Sequence, residues 1–112
     1  MLHQKTRIYQ KSLELNRLAR QIIEELPRGM AFLADQLRRA AASVALNFAE
    51  GYGKNSPRDQ RRFFIIARGS AYEVAAILDV AREWDAISDT HFAKGQDLAD
   101  HLAAMLSRFR SR

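Results

Sequence analysis

Four basic side chains fall within residues 54–62, namely Lys54, Arg58, Arg61 and Arg62; Asp59 is the one acid among them, and Arg68 lies further along. Ammonium and guanidinium groups at that density can neutralise successive phosphates of RNA or DNA, an attraction that depends on charge and not on base sequence. Tyr52, just ahead of the group, offers a ring on which a base can stack. The competing reading is a solvated turn with some arginines committed to salt bridges between subunits. Spacing alone does not separate the two.

Other chemistry fares worse. A di-metal bundle site needs inward Glu-x-x-His pairs, and no glutamate here has histidine three positions later. Asp97 and His101 share a helical face at i and i+4, but two ligands make a poor metal site, and His3 and His91 have no obvious company. Gly53-Lys54 near Ser56 imitates a phosphate loop, yet the required spacing would put glycine where Phe48 stands and Ser or Thr where Asn55 stands. Gly69-Ser70 lacks the G-x-S-x-G pattern of a nucleophile elbow. Glu50 and Glu73 can approach one another only across two helices, and two glutamates without a cleft are no active site. These residues predict no enzyme, metal or cofactor.

The 112 residues carry no cysteine, 47% hydrophobic and 28% charged residues, and a net charge of +5. That length suits one domain over residues 1–112. The composition excludes disulfides and cysteine nucleophiles, and two prolines in the whole chain favour helix over disorder. No secretory core follows Met1, and charged residues interrupt every long apolar segment, so a cytoplasmic protein with no membrane partner is expected. By segment, the charge is +2 over residues 1–27, +2 over 28–56, zero over 57–85 and +1 over 86–112. No polybasic tail stands out.

Helical periodicity supplies the elements that must position the basic group. Ile8, Leu15, Leu18, Ala19, Ile22, Ile23 and Leu26 form one stripe of a first helix over residues 6–26, which Pro27 and Gly29 end. A second helix, from Met30 to Ala49 or Glu50, buries Leu33, Leu37, Ala40, Ala41, Val44 and Phe48. The turn Gly51–Pro57 leads to Ser56 as N-cap and Pro57 at the first helical position. A third helix then reaches Trp84 on a core stripe of Phe63, Ile66, Ala67, Ser70, Val74, Ile77, Leu78 and Ala81. Ser88 or Asp89 caps a fourth, whose stripe is Leu98, Ala99, Leu102, Met105, Leu106 and Phe109; Arg108, Arg110 and Arg112 suit its C-terminal dipole, and the end from Ser107 is expected to fray. Short connections make sequential helices antiparallel, predicting an all-α, up-down-up-down four-helix bundle.

The two central helices are apolar on a second side. Ala42, Leu46 and Ala49 on the second helix, and Ile65, Gly69, Tyr72, Ala76 and Val80 on the third, recur at helical spacing away from the core. Such strips predict an oligomer interface. Gly69 either admits a neighbouring backbone there or is merely tolerated, at about 1 kcal/mol relative to alanine. Gln36, Arg39, Ser43, Asn47 and Glu50 line up between the strips, with Ser70 and Glu73 on a similar rim of the third helix. Their readings are a polar network fixing the register of helices or subunits, a ligand site, or neither.

The runs Gln36-Leu37-Arg38-Arg39-Ala40-Ala41, Ser43-Val44 and Asn47-Phe48-Ala49-Glu50-Gly51, followed by Phe63, Ala67, Gly69-Ser70 and Glu73, stand in order along the chain. With the opening Ile8-Tyr9-Gln10-Lys11-Ser12, they resemble the bacterial four-helix-bundle proteins encoded in intervening sequences of large-subunit rRNA genes. That resemblance implies a bundle assembled into a ring, typically a homopentamer, with no established catalytic activity and no catalytic residue to carry over. It also implies kinship with the accessory proteins of diversity-generating retroelements, basic pentamers that associate with a reverse transcriptase and nucleic acid. Five chains at +5 each would carry +25 in all.

The expectation is therefore a non-enzymatic, homo-oligomeric scaffold, pentameric on the family's pattern, associating with RNA, DNA or a nucleic-acid enzyme. The alternative is a protein-binding adaptor ring whose positive charge is incidental.

Overall fold

Side-chain oxygens of Thr6, Ser56 and Ser88 each accept a hydrogen bond from the backbone N–H three residues on, at Tyr9, Asp59 and His91, all at 3.1 Å. Each satisfies one of the donors that a helix leaves unpaired at its start, and each marks where a helix begins. The computed structural model describes residues 1–110, so Arg112 lies outside the described residues. A 3-10 turn, Leu2–Lys5, precedes α1 (Arg7–Glu25), α2 (Ala31–Tyr52), α3 (Pro57–Glu83) and α4 (Asp89–Arg108). Between α1 and α2 the backbone reverses at Gly29, whose φ of 90° suits a residue without a side chain.

Each helix packs on its two neighbours, α4 closing back on α1, and among the described residues no diagonal pair comes close. That is the square cross-section of an up-down-up-down bundle, 45 Å long and 21 Å across. Leu15, Leu37, Val44, Phe48, Leu78 and Leu102 are sealed in its centre. Polar ties cross the apolar interior at a few points. The Asn16 amide donates to the carbonyls of Ser12, at 2.8 Å, and Ala41, at 2.9 Å, joining α1 to α2. Ser12, fully buried, donates to the Tyr9 carbonyl at 2.7 Å. No helix among the described residues is long and apolar enough to cross a membrane.

Three expectations from periodicity need correction. First, α2 does not stop at Ala49 or Glu50 but continues through Gly51 to Tyr52. Gly51 is a packing residue and not a turn residue: a Cβ there would lie 2.7 Å from Phe64 Cε1 and 2.9 Å from Phe63 Cβ. Second, Phe64 enters the core in place of Phe63, which is half-buried, and Ile66 is 43% exposed. Because α3 touches both α2 and α4, its buried arc turns towards α4 and takes in Phe64 and Ala71. Third, α4 holds its helix through Ser107 and Arg108, so the unravelling expected from Ser107 does not begin there.

Candidate nucleic-acid interface

Lys54 follows the last turn of α2, where its Nζ pairs with Glu50 at 3.0 Å and lies 5.2 Å from the centre of the Phe63 ring. The Arg62 guanidinium sits 4.6 Å from the same ring, so Phe63 carries two cations. Arg58 and Arg61 are exposed in the opening turns of α3, without an ion pair among the described residues. Arg68 points towards α4, where it donates to the Ser107 hydroxyl at 3.1 Å. The basic group is thus divided by α3 into a patch around Phe63 and a patch facing α4.

Topology adds what spacing along the chain could not show. The α1 helix begins, and α4 finishes, at the end where α2 hands over to α3. Lys5, Arg7, Lys11, Arg108 and Arg110 therefore share the half that holds Lys54, Arg58, Arg61, Arg62 and Arg68. The contacts of Asn16 with Ala41 and Ser43 with Ser70 mark the middle of the bundle. Among the described residues the acids in the basic half are Glu14, whose carboxylate lies 4.0 Å from Lys11 Nζ, Glu50 and Asp59. In the opposite half Arg17, Arg20, Arg28, Arg38, Arg39, Arg82 and Lys94 are outnumbered by Glu24, Glu25, Asp35, Glu73, Asp79, Glu83, Asp85, Asp89, Asp97 and Asp100. One end is strongly positive and the other mildly negative. The signal was present in the sequence, but only for a reader who folds the segments antiparallel before counting charge.

The second apolar strips lie at the surface. Leu46 is 68% and Tyr72 60% exposed, with Ile65 and Val80 also exposed. Ala42 and Ala49 are half-buried, while Gly69 and Ala76 are open, and a Cβ at Gly69 would have no neighbour within 4 Å inside the chain. Phe32 on α2 and Trp84, which caps the end of α3, are also exposed, and the periodicity did not single them out. Of the polar residues, three come together: Ser43 and Ser70 share a hydrogen bond at 2.7 Å, and the Asn47 amide donates to the Ser43 hydroxyl at 2.9 Å and carbonyl at 3.0 Å. Glu50 belongs with Lys54, whereas Gln36, Arg39 and Glu73 are exposed and make no hydrogen bond or ion pair with the described residues.

Two rival chemistries can be placed. From the Ser43–Ser70 contact, Glu50 lies seven residues towards the basic end and Glu73 three towards the other, a separation of about 15 Å along the axis at 1.5 Å per residue. The two carboxylates are not a pair. His91, which seemed isolated in the sequence, has its Nδ1 2.8 Å from Glu25 Oε1, linking the start of α4 to the end of α1. Among the described residues no three His, Cys, Asp or Glu side chains gather as a metal site.

In fold the chain is similar to a protein of unknown function from the S23 ribosomal protein family of Bacteroides thetaiotaomicron VPI-5482, with a TM-score of 0.81 over 88% of this chain and 94% of that one. Their sequences are 19% identical, so the likeness speaks to fold alone. No curated protein matches the sequence. The family model of the 23S rRNA-intervening sequence protein matches residues 4–108, and the chain belongs to that family.

Proposed function

We propose that the protein is a non-enzymatic, homo-oligomeric scaffold, a pentameric ring, whose basic end associates with nucleic acid or with an enzyme that acts on it. The observation that carries this reading is the gathering of ten basic residues from four chain segments in one half of the bundle, opposed among the described residues by Glu14, Glu50 and Asp59. Such a surface attracts phosphate without reading bases. Assembly is supported by Leu46, Ile65 and Tyr72, large apolar side chains left at the surface of adjacent helices. Exposed apolar groups at such spacing commonly mark a contact with another chain. The pentamer itself, and a reverse transcriptase as the enzyme, come from the family resemblance.

In a ring of rotational symmetry every subunit points the same way along the axis. Any tilt of the bundles towards that axis would collect the basic ends on one rim. The decisive experiment titrates the protein into structured RNA and duplex DNA at low and physiological salt, beside a Lys54→Ala, Arg58→Ala, Arg61→Ala triple variant. Submicromolar, salt-sensitive binding that the variant loses supports the scaffold reading. Absence of binding at low salt would overturn it and leave the protein-binding adaptor.

A further inference from the structure

Between the start of α3 and the end of α4 lies a cavity of about 290 Å³ whose lining includes Arg61, Arg68 and Arg110 and no carboxylate among the described residues. Phe64, Phe109 and Leu106 supply its apolar wall, and Ser107 a hydroxyl. The Arg68 guanidinium is oriented by its bond to Ser107, which in turn donates to the Ala103 carbonyl at 3.0 Å. Its other N–H groups have no acceptor among the described residues, and neither has the Arg61 guanidinium. Phe109 is fixed from behind by edge contacts with Phe48 and Phe64, ring centres 5.3 and 5.5 Å away.

Three cations without a counter-charge ask for a multivalent anion, because guanidinium groups match phosphate oxygens in geometry as well as charge. The adjoining aromatic wall asks for a flat, weakly polar body. One ligand class joins an anion and a flat aromatic body: a nucleotide. The volume is just under the roughly 300 Å³ at which small-molecule sites begin, and so matches a single unit and not a folded strand. A second cavity, of about 310 Å³ and lined by Arg7 and Arg108, shares Phe109 and Arg110 with the first and gives a strand room to continue.

We infer that this cavity is a nucleotide site, with the phosphate held by Arg61, Arg68 and Arg110 and the base against Phe109. The inference rests on the nucleic-acid reading of the basic end, and it names the unit that end receives. The nucleotide is either free or the phosphorylated terminus of a strand.

Calorimetric titration of the intact protein with AMP, adenosine and inorganic phosphate tests it. AMP should bind at least tenfold more tightly than either fragment, since both halves of the cavity are used. Ser107→Asp, which places a carboxylate beside Arg68, should abolish AMP binding, and Phe109→Leu, which keeps an apolar plug, should weaken it at least fivefold; circular dichroism checks that both variants fold. A 5′-phosphorylated hexauridylate binding more tightly than its 5′-hydroxyl counterpart and than UMP assigns the site to strand ends, while equal affinities of UMP and the phosphorylated strand assign it to free nucleotides. If AMP binds no better than phosphate, or if Ser107→Asp leaves AMP affinity unchanged, the inference is overturned. Failure of the unmodified protein to bind AMP while it binds structured RNA would overturn the cavity alone, and AMP binding without RNA binding would overturn the scaffold reading alone.

Discussion

The hydroxyls of Ser43 and Ser70 lie 2.7 Å apart and bridge α2 to α3, with Ser70 only 8% exposed. Removing Ser43 leaves the Ser70 hydroxyl without this bond in a place that water reaches poorly, whereas after loss of Ser70 the Ser43 hydroxyl still accepts from the Asn47 amide. Ser43→Ala and Ser70→Ala should each cost about 1 kcal/mol, and the double variant should cost less than the sum of the two. Urea unfolding of the four proteins measures the coupling, and strict additivity would count against the bridge.

Gly51 offers a sharper test of packing. Alanine improves helix propensity by about 1 kcal/mol at an interior position, but here its methyl would meet Phe64 and Phe63 at under 3.0 Å. Overpacking of that kind costs about 1–3 kcal/mol, so Gly51→Ala should lower the thermal midpoint although it favours the helix. At Gly69, where nothing inside the chain lies within 4 Å of a Cβ, the same change should stabilise a lone subunit.

Those two glycines show where the sequence was legible and where it was not. Capping at Ser56 and Ser88 and the apolar stripes are local signals, and they located four helices and their antiparallel order. Which of Phe63 and Phe64 faces inward depends on α3 serving two neighbours at once, a relation no single helix encodes. The same holds for charge. Counted along the chain it looks even; only the return of the first and last segments to the second turn reveals Arg7 and Arg108 at the same end as Arg61.

Assembly should depend on the exposed strips of α2 and α3. Leu46→Asp and Gly69→Arg introduce charge where apolar or small residues face outward, and each should reduce the native mass seen by light scattering at micromolar concentration. An unchanged mass in both variants, or a monomer in the unmodified protein, would remove the oligomer from the proposed function.

The arginines supplied by the chain ends should matter as much as those of the second turn. Arg7→Ala with Arg108→Ala should weaken binding to structured RNA and lower the slope of log affinity against log salt by roughly 0.7–0.9 for each phosphate no longer neutralised. Arg28→Ala, which removes a positive charge at the opposite end, should leave both quantities unaltered. Equal effects per charge at the two ends would mean that total charge, and not its position, governs binding.

A bundle charged this unevenly along its length behaves in solution like a compass needle. A phosphate-rich surface exerts a torque on it and turns the positive pole inward before any contact is made. At physiological ionic strength the field decays over about 8 Å, a small part of the 45 Å between poles. The far pole, with its carboxylates, therefore lies beyond the reach of a phosphate surface held at the basic end. On the proposed function, capture is one-sided, with the acidic pole turned away from the polyanion.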